Sequence, residues 1–156
     1  MMPAWKLRPA QDDEAAAAAG VWLASRWANT ATIPAPVHSD DAVRRWMCET
    51  VFTTREVWLA VDADDTAIGL LVLDDAWLDD LYVVPERSGH GVGVALLELA
   101  KRLRPDGFGL WVFASNTGAQ RFYQRHGLLP VERTDGAGNE EKAPDIRYLW
   151  SESSCP

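Results

Sequence analysis

A chain of 156 residues with 47% hydrophobic and 24% charged side chains has the length and composition of one packed soluble domain. Its formal net charge of −8, from 15 basic and 23 acidic residues, argues against a long nucleic-acid ligand and favours a cationic partner. Residues 1–8 lack the apolar core of a signal peptide, no apolar run reaches transmembrane length, and Cys48 and Cys155 have no metal-type spacing, so a reduced, cytoplasmic setting with no membrane partner is expected.

Trp5-Lys6-Leu7-Arg8 alternates and stops at Pro9, which predicts a first strand. Asp12-Asp13-Glu14 then brings negative charge to the start of an alanine-rich helix, in which Ala16, Gly20, Leu23 and Trp27 recur at helical spacing. Pro34 and Pro36 hold residues 29–37 as a loop. Ser39 caps a second helix with Val43, Trp46 and Met47 on one stripe; Trp27 and Trp46 read as core, and Cys48 as a small buried hydrophobe. Strands over residues 57–61 and 68–73 flank the acidic turn 62–65, and a further strand over 77–84 ends at Pro85. Residues 92–103 form a helix whose apolar face is Val92, Ala95, Leu96, Leu99 and Leu103. The all-apolar run 108–113 suits an interior strand. A helix opens at Asn116 or Thr117 and closes at Gly127. Strands over 128–134 and 146–150 surround a polar loop, residues 135–145. The order β-αα-βββ-α-β-α-ββ predicts one α/β (α+β) domain over residues 1–150, with residues 151–156 as a disordered tail.

Chemistry concentrates at Leu81-Tyr82-Val83-Val84-Pro85 followed by Ser88-Gly89-His90-Gly91-Val92-Gly93-Val94, where a strand, a glycine-rich turn and a long helix succeed one another. Glycines let the backbone approach a ligand, and free N–H groups at a helix start make an anion site. The third glycine comes too early for a dinucleotide fingerprint, and no Gly-Lys-Ser/Thr follows to make a phosphate-binding P-loop. The stretch resembles the GNAT superfamily of acetyltransferases, with Leu-x-Val-x-Pro ending the fourth strand and a Gln/Arg-x-x-Gly-x-Gly/Ala turn after it; Ser88 stands where Gln or Arg is usual. Asn116-Thr117-Gly118-Ala119-Gln120-Arg121-Phe122-Tyr123-Gln124-Arg125-His126-Gly127-Leu128 resembles the family's second block, departing only at the final Leu.

That resemblance implies a mixed sheet of about seven strands, splayed between strands 4 and 5 and flanked by about four helices, with acetyl-CoA as co-substrate and no metal. It implies cofactor contacts at Leu81, Tyr82 and Val83, at Ser88, Gly89, His90, Gly91, Val92, Gly93 and Val94, and at Asn116, which also suits a helix cap. The Val83 N–H would polarise the thioester carbonyl, and Tyr123 would protonate the leaving thiolate. Asp79 holds the position of the base in some aminoglycoside-acetylating relatives; Asp80 and water are the alternatives, and a bulge in this strand would decide which way each carboxylate points.

In this fold the acceptor pocket lies between the first two helices and the loop joining the last two strands. The chain offers Trp22, Trp27, Trp46 and His38 on one side and Asp135, Asn139, Glu140, Glu141 and Asp145 on the other. Trp22, Asp80 and Glu140 are the candidate substrate contacts, since carboxylates beside aromatic faces suit a cation. The expected activity is transfer of acetyl to a primary amine of a small molecule. The alternatives are an N-terminal or lysine acetyltransferase acting on proteins, and a catalytically idle CoA-binding module. The resemblance also admits a homodimer.

Overall fold

The computed structural model describes residues 4–152; Cys155 and most of the expected tail lie outside them. Seven strands form one sheet in the order β1-β2-β3-β4-β5-β7-β6. The strands are β1 (Trp5–Pro9), β2 (Glu56–Asp62), β3 (Ala67–Asp74), β4 (Trp77–Val83), β5 (Phe108–Phe113), β6 (Leu129–Thr134) and β7 (Asp145–Trp150). All neighbours run antiparallel except β4 and β5. That parallel step requires a crossover, which α4 (Val92–Leu103) supplies.

Each helix follows from local chemistry. The first, α1 (Ala15–Ala28), buries an alanine face of Ala15, Ala18 and Ala19 together with Trp22 and Leu23. The Ser39 side chain accepts a bond from the Ala42 N–H and caps α2 (Asp40–Trp46). A π-helical turn over Met47–Val51 carries α2 into the short α3 (Phe52–Thr54), so these three stretches run as one helical segment. Asn116 caps α5 (Thr117–Arg125) by accepting from the Ala119 N–H at 3.1 Å.

The two faces of the sheet carry separate cores. Leu96, Leu97 and Ala100 of α4 pack with Phe108, Leu110, Leu128, Ile146 and Tyr148 on one face, where α5 also lies. On the other, Ala18, Ala19 and Leu23 of α1 pack with Val43, Met47, Leu59 and Leu70. Two expected core residues belong to neither: Trp27 is 49% exposed and Trp46 is 38% exposed. The Trp27 indole N–H donates to Asp40 instead, and Trp46 packs edge-on against Trp22. Cys48 is exposed as well, one residue past Met47 and off the buried stripe that Val43, Met47 and Val51 share.

Candidate active site

The site begins where β4 and β5 separate. They pair only at Trp77↔Gly109, and the Trp77 ring lies against Gly109, where an added Cβ would stand 3.0 Å from it. Beyond that point the strands diverge and leave a cleft of about 300 Å³. Leu81, Tyr82 and Val83 of β4, Trp111 and Phe113 of β5, and Asn116 and Tyr123 of α5 line it, with Ser88, Asp79 and Asp80.

The two aspartates are separated by a bulge. The β3–β4 register passes from Leu73↔Leu78 to Val72↔Asp80, so Asp79 has no partner on β3. Leu78 and Leu81 consequently share one core although strict alternation would put them on opposite faces. Asp79 receives the Arg55 Nε–H at 3.0 Å, and Arg55 also pairs with Asp74 at 3.4 Å. Asp80 goes deeper and accepts from the Trp22 indole N–H at 3.3 Å. Burial, then the charge of Asp79, push its carboxyl up to about 7, against the opposing pull of Trp22, Arg26 and Arg55.

Tyr123 is 8% exposed, and its hydroxyl has no hydrogen-bond partner among the described residues. Burial first, then Tyr82 and Asp80, raise its pKa above the ordinary tyrosine value, so it keeps its proton at neutral pH. Tyr82 is raised likewise, by burial and by Asp80, and its ring meets Trp22 at a centroid distance of 6.2 Å. A carboxyl that titrates near neutrality and a protonated phenol thus border one cleft. Such a pair can accept a proton and release another within a single reaction.

A model of the acetyltransferase (GNAT) family matches residues 21–128, well over half of the chain. The chain belongs to this family. Peptidyl-lysine N-acetyltransferase YjaB of Salmonella typhimurium is 33% identical to this chain over 79 residues, which cover 51% of this chain and 54% of that protein. The chain therefore spans about half the length of that relative. The solution structure of apo YjaB from Escherichia coli has a TM-score of 0.78 at 24% identity, covering 96% of this chain and 98% of the other. PaiA N-acetyltransferase of Thermoplasma acidophilum, solved with coenzyme A, has a TM-score of 0.74 at 20% identity, with 96% and 99% covered. The splayed seven-stranded sheet is the fold these structures share.

Acetyl-CoA is the co-substrate of this family, and the turn into α4 fits its phosphates. Gly89 and Gly91 have φ of 80° and 87°, and a Cβ added at either would meet nothing within 4 Å. The first N–H to bond back into α4 is that of Ala95, to Gly91 O, so those of Val92, Gly93 and Val94 face out of the helix start. The Val92 side chain is buried in the core and Ser88, His90 and Val94 are exposed, so Val92 would serve through its backbone alone. Gly91→Leu should therefore abolish the rise in Tm that CoA produces, while the free protein still unfolds cooperatively at a somewhat lower Tm, because the turn needs a positive φ. A normal CoA-induced rise in this variant would remove the anion site from this turn.

The acceptor side holds residues whose roles the sequence left unassigned. Arg26 is 5% exposed, lies 4.8 Å from the Trp22 ring centroid, donates to Pro34 O and faces Glu141 at 3.6 Å. It ties α1 to the loop before α2 and to the loop between β6 and β7. That second loop is braced from within: the Asn139 amide donates to Ala143 O and Asp145, and a side chain at Gly136 would strike the Ala143 backbone. Across its tip, Glu140 meets His38 at 3.3 Å. An Arg at helical spacing after Trp22 was the one available sign of Arg26, since it falls on the buried face of α1. Among the described residues no group of three or more His, Cys, Asp or Glu could hold a metal, and no helix is long and apolar enough to cross a membrane.

Proposed function

We propose that the protein acetylates the primary amine of a small cationic molecule, with Asp80 as base and Tyr123 as acid. The observation that carries this reading is the pairing of a deep, near-neutral carboxyl with a protonated phenol along the cleft between β4 and β5. Acetyl-CoA supplies an activated acyl group. Asp80 takes the proton that the attacking ammonium must lose, the C–N bond forms as the C–S bond breaks, and Tyr123 gives its proton to the departing sulfur. The Val83 N–H is the donor for the acyl oxygen. Asp79, though burial raises its carboxyl as well, is the lesser candidate for the base because it stands nearer the surface and is already engaged by Arg55 at 3.0 Å.

The roofed acceptor side, cross-linked by Arg26–Glu141 and His38–Glu140, favours a small molecule over an extended peptide end. A lysine side chain of a protein is the second reading, favoured by the peptidyl-lysine activity in the name of the Salmonella relative. Thiol release from acetyl-CoA, measured over a panel of small amines, aminoglycosides and lysine peptides, tests both. Turnover confined to small amines is expected; turnover confined to peptides would transfer the proposal to lysine, and none at all would leave a CoA-binding module.

A further inference from the structure

Beside the cleft lies a second hollow of about 250 Å³, enclosed by α1, α2, the loop before α2 and the β6–β7 loop. Trp22, Val43 and Trp46 make its apolar walls, with the two indoles edge to face at a centroid distance of 6.1 Å. Its ionisable groups are His38, Glu140 and Glu141. Glu141 stands out, because its side chain is only 17% exposed yet accepts no hydrogen bond among the described residues. The cation facing it, Arg26 Nη2, remains 3.6 Å away, held by its bond to Pro34 O and by contact with the Trp22 ring. Its carboxylate, ion-paired with Arg26 but accepting no hydrogen bond among the described residues, is thus open to a donor carried by a molecule in the hollow. Glu140 adds negative charge at the mouth, where its partner is an exposed histidine.

Neither Asp80 nor Tyr123 lines this hollow, so the reacting amine does not bind there. Trp22 connects the two spaces: its N–H donates to Asp80 and its ring walls the hollow. We propose that Trp22, Trp46 and Glu141 bind a second, non-reacting cationic group of the acceptor, which makes the substrate an aliphatic diamine. This rests on the reading that the reacting amine faces Asp80. The methylene chain lies along the Trp22 ring, the far ammonium donates to Glu141, and the indoles add cation–π attraction. The net charge of −8 draws such a dication in from solution.

The test compares kcat/KM for a five-carbon terminal diamine and for the monoamine of the same chain length. After allowance for its two equivalent amines, the diamine should be preferred by at least about ten-fold, as one desolvated, charge-assisted contact provides. Glu141→Gln and Trp46→Ala should each bring that ratio toward one, with CoA-induced thermal stabilisation retained as evidence of folding. A wild-type ratio near one, or a preference that survives Glu141→Gln, overturns the subsite while leaving amine acetylation standing. Silence with both amines but turnover of a lysine peptide overturns the diamine in favour of a protein acceptor. Silence with every acceptor overturns the acetylation reading as well.

Discussion

Asp80→Asn should lower kcat/KM for the amine by about 10²–10⁴-fold, the usual worth of a general base, with little change in CoA affinity. Asparagine keeps the oxygen that accepts from the Trp22 N–H, so the loss isolates proton transfer from packing. The wild-type enzyme should show an acid limb centred near pH 7, where the carboxyl titrates, and Asp80→Asn should lose that limb. Stability should move the other way. A carboxyl whose pKa is raised in the folded state ionises at a cost to folding, absent below the unfolded value near ~4 and complete above about 7. Asp80→Asn should therefore match the wild type in Tm at acid pH and exceed it at pH above 7. Asp79→Asn is the comparator, and it should retain the acid limb. If the limb instead disappears with Asp79 and survives without Asp80, the base is Asp79.

Tyr123→Phe should reduce kcat by roughly ten- to a hundred-fold, at the lower end of general acid catalysis, while CoA binds as before. The ring packs in the core, edge to face with Phe122 at 5.2 Å, so phenylalanine preserves the wall of the cleft. Its hydroxyl has no hydrogen-bond partner to lose among the described residues, which removes the usual structural explanation for a defect. A high pKa appears ill-suited to an acid, but the charge of Asp80 is among its causes. When Asp80 takes the proton of the amine, that contribution vanishes and the phenol becomes a better donor. Turnover and CoA binding measured on one preparation decide the matter. Wild-type turnover would assign thiolate protonation to water or another donor.

The order of strands and helices was legible because each element carries its own periodicity, cap or breaker: the apolar face of α4, Ser39 and Asn116 as caps, Pro85 after β4. The glycine turn was legible for a related reason, since a turn at positive φ followed at once by a helix is a local pattern that survives without knowledge of neighbours; Tyr123 was singled out only through the resemblance of the block Asn116 to Leu128. Tertiary structure alone decided the rest. Which aspartate goes deep depends on one unpaired residue in the β3–β4 ladder, and a bulge is a property of two strands, not of one. Trp46 and Cys48 lie beside the narrow buried stripe of Val43, Met47 and Val51, and how wide a stripe a neighbouring helix covers is not written in hydropathy. Arg26, Glu141 and Arg55 acquire meaning only when α1, the loop between β6 and β7, and the bulge in β4 converge. Ion pairs and hollows between residues distant in the chain leave no periodic trace in it, because they are made by long-range packing.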